Sequence, residues 1–405
     1  AGSYRMRILH VIGRLDFADG GPPQVATRLA AAQAAQGHTV GLACYSCAAD
    51  YDTGQQLSYL PGWNRVELHR LPRAGLLERL RGQRAVRALE PLIAATDVIH
   101  LHNVWEMILL RASQIARAMG KPYLVLPNGM LDPWSLEQKK WKKQVALAMG
   151  YRRMLDECAM LHLLNDSEQE LIAPLNLKCE ATIIPNGVNF SEIDPLPPFG
   201  QFIASHRELS GRRFVLFLSR LHYKKGLDYL ADGFALLAPK HEDLDLVVAG
   251  PDGGERDNFQ RRVAAAGLTD RVHIVGPLYG KEKFAALVDC DCFTLPSRQE
   301  GFSIAILEAL AAGAPVVIST NCHFPEVAAA GAGEVIELNA DALAAALDRV
   351  LYDPKRHQLG QEGRYLVESQ YTWDRVARLS IEVYRPLCAP KTKPKPKARP
   401  VKEAP

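Results

Sequence analysis

Arg213-Phe-Val-Leu-Phe-Leu-Ser219 decides the fold. An unbroken run of large apolar residues, without polar alternation, describes a strand covered on both faces, and such strands belong to parallel sheets. A loop and a helical pattern over about residues 225–238 follow, giving the first two elements of a βαβ unit. Further strands read at 244–249, 272–275, 291–295 and 314–318, with helices between them. The run is also a restart. Upstream, strands read at 6–12, 39–44, 65–71, 97–102, 123–126, 161–164 and 182–184, with a first helix over about 22–36. Prolines and an Asn-Gly pair cluster over 185–198, which places a joint there. The chain therefore reads as α/β, with two Rossmann-like, doubly wound halves of about 185 residues each. A last helix begins at Trp373 and precedes a Lys/Pro tail.

Composition agrees with this reading. The 405 residues are 48% hydrophobic and 23% charged, which excludes a disordered or collagen-like chain. No window of eighteen apolar residues occurs, so no transmembrane helix is expected. The formal charge is +3, but residues 390–405 alone carry +5, leaving the body near −2 and giving no argument for nucleic acid as a partner. The eight cysteines lack the spacing of a disulfide framework and read as thiols in a reducing cytosol. Ala1-Gly2-Ser3 reads as an expression scar, with the natural start near Met6.

Three constellations could carry chemistry. The first is Ser219-Arg220-Leu-His-Tyr-Lys224-Lys225-Gly226, which puts cations at the end of a buried strand, where open α/β sheets bind ligands. A guanidinium fork and an ammonium together suit a diphosphate, although two solvated surface cations would read the same. The second is Ser297-Arg-Gln-Glu300-Gly301-Phe302-Ser303-Ile304-Ala-Ile-Leu-Glu308, a loop leading into a helix whose first N–H groups form an anion site. Glu308, set among Ala, Ile and Leu, reads as serving a hydroxyl-bearing ligand, an internal cation or, less informatively, water. The third is Asp19-Gly20-Gly21-Pro22-Pro23, where glycines permit close backbone approach and proline suits a first helical turn.

Glu300 and Glu308, with Gly-Phe-Ser-Ile between them, resemble the paired-glutamate signature of retaining glycosyltransferase family 4. Arg220 and Lys225-Gly226 stand where that family has its donor-phosphate pair. Pro185-Asn186-Gly187-Val188 resembles its interdomain segment, with Asn189 where Asp is usual. The resemblance covers nearly the whole chain except the tail. It implies the GT-B fold: an acceptor-side domain over 1–185, a nucleotide-sugar-binding domain over 186–370, a helix over 371–386 packing back on the first domain, and a disordered basic tail over 387–405.

It also implies roles. Arg220 and Lys225 would bind the diphosphate of a nucleotide sugar with the backbone of Ser303 and Ile304, Gly20 and Gly21 would approach it from the other lobe, and Glu308 would hold ribose. Glu300 and Phe302 would contact the donor, and backbone near Leu278 would border the base. UDP- and GDP-sugars stay equally open. The resemblance also implies no metal or other cofactor, the cations and a helix N-terminus taking that charge role, and the sequence agrees in that Asp243-Leu-Asp245 and Asp289-Cys-Asp291 read as strand-boundary polarity. The implied activity is retaining hexosyl transfer to a saccharide or lipid-linked saccharide in exopolysaccharide or lipopolysaccharide assembly. A nucleotide-sugar-binding protein with little turnover, or an epimerase or phosphorylase of the same fold, is the alternative.

Three further features bear on this. His102, at the end of the strand over 97–102, is a candidate acceptor-side group. Asn128, in Pro127-Asn128-Gly129-Met130-Leu131-Asp132-Pro133-Trp134, stands where the family usually has His, and an amide hydrogen-bonds without titrating near pH 7. Residues 134–153 carry six cations against Glu137 and include two tryptophans. They read either as a solvated helix or as one lying on an anionic bilayer through Lys139, Lys140, Trp141, Lys142 and Lys143, a cytoplasmic protein peripheral to the inner membrane face.

Overall fold

The computed structural model describes residues 5–17, 21–47, 57–138 and 140–389. Two all-parallel sheets form two lobes. The first is ordered β3-β2-β1-β4-β5-β6-β7, from β1 (Arg7–Arg14), β2 (Thr39–Tyr45), β3 (Val66–Leu71), β4 (Val98–His102), β5 (Tyr123–Leu126), β6 (Met160–Leu163) and β7 (Ala181–Ile183). The second is ordered β10-β9-β8-β11-β12-β13, from β8 (Arg213–Leu218), β9 (Leu244–Ala249), β10 (Val272–Gly276), β11 (Cys292–Leu295), β12 (Val316–Ser319) and β13 (Gly333–Ile336). The order in which strands are added reverses between β1 and β4 and again between β8 and β11, so each sheet has a crevice beyond its carboxyl ends at that pair. The helices that bear on these crevices are α1 (Gly21–Ala35), α2 (Leu76–Arg81), α3 (Lys140–Ala146), α4 (Leu227–Leu237), α5 (Gly280–Asp289), α6 (Ile304–Ala311) and α7 (Trp373–Cys388).

The deciding run, β8, is buried from Phe214 to Leu218. Each of its phenylalanines contributes about 2–3 kcal/mol through area removed from water. The same apolar cluster takes in Val25 and Leu29 of α1 and Leu126 of β5, so the core runs across both lobes. The chain crosses between lobes twice, and the crossings are stitched together: Val188 N–H donates to Tyr371 O at 2.9 Å, and Trp373 N–H donates to Val188 O at 3.0 Å. Helix α7 then packs on the first lobe, burying Ile381 and Tyr384 there. The paired aspartates are structural. Asp245 binds Arg212 and His273, Asp289 accepts from three backbone N–H groups at 200–203, and Asp291 binds Arg356.

Two expectations need correction. The basic stretch is not one helix: Pro133–Glu137, α3, a wide turn over Leu147–Tyr151 and Arg152–Asp156 follow one another. Gly150, at φ 118, lies outside helical backbone and breaks the run. The edge strand β13 had no reading in the sequence, being four residues led by glycine. Residues 390–405 of the tail lie outside the described residues.

Candidate active site

Beyond β8 and β11 the first two constellations meet. Gly226, at φ 69, lets the β8 loop press on the β11 loop, since a Cβ there would stand 1.8 Å from Pro296 O. That approach delivers Lys225 Nζ to Glu300 Oε1 at 2.5 Å, and Ser297 Oγ donates to the same oxygen at 2.7 Å. Both charges are largely withdrawn from water, at 16% and 9% side-chain exposure, so the pair is held by more than a surface contact. Ser303 caps α6 without a side-chain hydrogen bond, and the first turn of α6 carries no acid, so its N–H groups are open to an anion. Arg220 is exposed at the same crevice and forms no salt bridge among the described residues.

Inside α6, Glu308 Oε1 accepts from Lys283 Nζ of α5 at 2.6 Å. Of the readings open for Glu308, an internal cation is what the structure supplies. Nothing in the spacing announced Lys283, which stands 25 residues away. Leu278 lies 7% exposed in the turn between β10 and α5. The ring of Phe302 packs on Phe324 and Tyr371, with centroids 5.0 and 5.7 Å away, so its side chain belongs to the core and does not line the crevice.

From the other lobe, Gly21 opens α1, whereas Gly20 lies outside the described residues. Asn103 and Asn128 follow β4 and β5, both in left-handed backbone, at φ 80 and 53. Asparagine tolerates that region better than most residues, and non-glycine residues held there cluster at functional sites. Asn128 Nδ2 donates to Asn103 Oδ1 at 3.0 Å, and Asn103 Nδ2 donates to Glu106 Oε1 at 3.2 Å. Glu106 lies flat on the first sheet because residue 13 is glycine, where a Cβ would sit 1.2 Å from Glu106 Oε2. A cavity of about 640 Å³ opens here, bounded by Asn103, Trp105, Glu106 and Met130.

The lobes also touch. Gln299 donates to Asp132 and accepts from Lys224 Nζ at 3.0 Å, while Asn165 Nδ2 donates to Gly301 O at 2.7 Å and Asn186 Nδ2 to Phe302 O at 3.2 Å. Burial raises the Asp132 carboxyl and lowers the Lys224 ammonium from their ordinary values. This clasp was not anticipated. Asp132 and Lys224 are 92 positions apart in sequence, and only the docking of the lobes brings them together.

His102 does not face the crevice. It is fully buried, and its ring belongs to a network of four histidines, His10, His100, His102 and His162. The acceptors at its ends fix every tautomer. His162 Nε2 donates to Ile184 O at 2.8 Å, so its Nδ1 accepts from His100 Nε2 at 3.1 Å, and His100 Nδ1 accepts from Tyr384 OH at 2.5 Å. Ser380 Oγ donates to Ala377 O, so Gln33 Nε2 donates to Ser380 and to Tyr384, and Gln33 Oε1 accepts from His10 Nε2 at 2.7 Å. His10 Nδ1 then accepts from His102 Nε2 at 2.8 Å, leaving His102 Nδ1 as a bare buried acceptor. Desolvation lowers His10 and His162 to about 4 and holds His100 and His102 well below their ordinary value. Three of these rings bring nitrogens within 4.8 Å of one another, but His10–His100 and His100–His102 are stacked, and their nitrogens serve hydrogen bonds within the network.

Helix α3 buries none of its residues, and Trp141 is 66% exposed with Lys142 over its ring. Lys140 pairs with Glu137 at 2.8 Å, Lys143 donates to Ser135 O, and Lys139 lies outside the described residues. No helix among the described residues is long and apolar enough to cross a membrane.

Comparison with known proteins agrees with this geometry. Residues 20–187 match the family model of the glycosyl transferase 4-like domain, and residues 199–365 match glycosyl transferases group 1. A phosphatidyl-myo-inositol mannosyltransferase of Mycobacterium leprae is 31% identical over 308 residues, 71% of this chain and 73% of that protein. A lipopolysaccharide core biosynthesis mannosyltransferase of Rhizobium meliloti is 34% identical over 176 residues, 41% of this chain and 48% of that one. The first curated relatives are matched over about two fifths to three fifths of their own length. The solved structure of Anabaena HepE with UDP and glucose superposes with a TM-score of 0.73 at 16% identity, covering 94% of this chain and 99% of that one, which shows a shared GT-B fold. Two Rossmann-like lobes, the paired glutamates at their crevice and these matches together place the chain in the group 1, family 4 glycosyltransferases.

Proposed function

We propose that this chain is a retaining, metal-independent glycosyltransferase that moves a hexosyl unit from a nucleotide-diphosphate sugar to a saccharide or lipid-linked saccharide in polysaccharide biosynthesis. One observation carries the reading: Arg220, Lys225 and the open first turn of α6 converge at the β8/β11 crevice, facing the clasped first lobe. Fixed cations and a helix N-terminus stabilise charge where it develops on a leaving diphosphate, the service a divalent ion performs elsewhere.

In the proposed step the acceptor oxygen bonds to the anomeric carbon as the bond from that carbon to the diphosphate oxygen breaks. The electron pair stays on the phosphate, and that oxygen takes the acceptor's proton on the same face. Glu300, tied by Lys225 and Ser297, suits hydrogen bonding to sugar hydroxyls. Glu308 suits ribose, sharing itself with Lys283. The lobe clasp holds donor and acceptor in register and keeps water out. The polar chain from Asn128 to Glu106 orients the acceptor without titrating at Asn128. The relatives named for mannosyl transfer to lipopolysaccharide core and to phosphatidyl-inositol support a glycan or glycolipid pathway. Exposed α3 supports peripheral contact with an anionic membrane.

The test is a panel of UDP- and GDP-sugars screened for thermal stabilisation, then assayed with EDTA present. A product whose anomeric configuration matches the donor's, formed at an undiminished rate in EDTA, is expected. Nucleotide binding without turnover over an acceptor panel, or an inverted product, overturns the reading.

A further inference from the structure

The first-lobe cavity has a graded wall. Asn103 and Glu106 sit at its floor, Asn103 buried and Glu106 half-buried, beside the loop bearing Asn128. Its outer wall carries Arg73 and Arg79, both exposed, and neither forms a salt bridge among the described residues. Arg79 belongs to α2, whose Leu76, Leu77 and Leu80 stand 75%, 69% and 61% exposed, three large apolar side chains on one six-residue helix. Carbonyl and carboxylate oxygens at the floor match sugar hydroxyls and repel an anion. Guanidinium forks at the mouth match phosphate oxygens.

We infer that the acceptor is a phosphorylated saccharide, bound with its sugar against Asn103 and Glu106 and its phosphate between Arg73 and Arg79. This rests on the transferase reading above and names its acceptor class. A saccharide bearing phosphate at its reducing end enters sugar first, presenting its distal hydroxyls toward Asn128 and the donor crevice and leaving the phosphate at the mouth. A lipid on that phosphate would run out over Leu76, Leu77 and Leu80. A soluble sugar phosphate would use the arginines alone.

The experiment is calorimetric titration of the full chain saturated with UDP or GDP, whichever binds, so that the Arg220 and Lys225 crevice does not bind the probe. Glucose and α-glucose 1-phosphate are compared in the wild-type protein and in Arg73→Ala/Arg79→Ala, which removes two exposed side chains and keeps the fold. The sugar phosphate is expected to bind at least about tenfold more tightly than glucose, as a charge-assisted hydrogen bond allows, and the double variant is expected to erase that preference. Equal affinities, or a preference surviving in the variant, overturn the inference. A second arm presents polyprenyl-phosphate-linked glucose in neutral phosphatidylcholine vesicles. A gain that Leu76→Ser/Leu80→Ser abolishes assigns a lipid-linked source, and no gain assigns a soluble phosphate. Failure of both UDP and GDP to bind would strike at the transferase reading, whereas nucleotide binding with no phosphate preference strikes only at this one.

Discussion

Acidification should unfold the first lobe well before ordinary carboxylates titrate. The four network histidines are neutral in the fold, with His10 and His162 held to about 4 by burial against an ordinary value of 6.5. In the unfolded chain all four protonate through pH 6.5, so below that pH the unfolded state binds more protons and gains on the folded one. The stability these groups confer is therefore complete above about pH 7 and is lost as pH falls toward 4. Each tenfold difference in proton affinity between the two states is worth about 1.36 kcal/mol, so between pH 7 and 5 His10 and His162 each forfeit about 2 kcal/mol, or about 4 kcal/mol together. His100 and His102, also lowered by burial, act in the same direction. Asp132 and Glu168, raised by burial, act in the opposite sense and offset part of the loss. Against a typical total of about 5–15 kcal/mol the remainder is large. Scanning calorimetry at pH 7, 6 and 5 should show the first-lobe transition moving down by roughly 8–16 °C for 4 kcal/mol. A variant such as His10→Gln should be less stable at pH 7 yet show a shallower pH slope. A transition that stays put between pH 7 and 5, or histidine resonances titrating near 6.5 in the folded protein, would refute the assignment of neutral buried rings.

The donor cations give the sharpest activity prediction: Arg220→Ala and Lys225→Ala should each lower kcat/KM by about a hundredfold or more, with the unfolding midpoint unchanged for exposed Arg220 and lowered for Lys225, whose loss strands buried Glu300, and near-normal turnover in both would remove the phosphate role. Breaking the clasp with Gln299→Ala should raise the radius of gyration in small-angle scattering and raise donor KM; an unchanged radius would show that the lobes do not depend on it. Lys139, Lys140, Lys142 and Lys143→Glu should abolish sedimentation with anionic vesicles, and equal binding by the Lys140→Glu/Lys142→Glu pair, which spares the Lys143 contact to Ser135, would discard the membrane contact. Asn128→His should fold normally, because histidine also tolerates φ near 53, and turnover within about tenfold of wild type is expected if residue 128 positions and does not carry a proton.

What the sequence disclosed and what it withheld divide along a physical line. Strand β8 was readable because a strand buried on both faces is apolar almost throughout, and β9 was readable despite Asp245, whose buried charge is met by Arg212 and His273. The crevice ends were readable because open parallel sheets bind ligands beyond their carboxyl edge; solvated surface cations would have read the same, and the meeting of Lys225 with Glu300 decides for the crevice. The histidine strand was read halfway. Alternation put His100 and His102 on one face, but whether that face meets solvent, ligand or core depends on His10, Gln33, His162 and Tyr384, up to 284 residues distant from His100. Each of those residues is ordinary when taken alone. Only their convergence makes a charge there costly and a neutral hydrogen-bonded chain stable. The same logic governs Lys283 with Glu308 and Gln299 with Asp132. A buried acid tells the reader that a partner exists, since an unpaired carboxylate there would be too costly, but it does not say which cation. Lobe docking joins Gln299 to Asp132, the second lobe's own packing brings Lys283 of α5 to Glu308 of α6, and helix α7 folding back places Ser380 and Tyr384 against the first lobe's strands. A change in α7 should therefore reach the crevice through His102 and Asn103 at the end of β4, although Ser380 and Tyr384 themselves lie in the core.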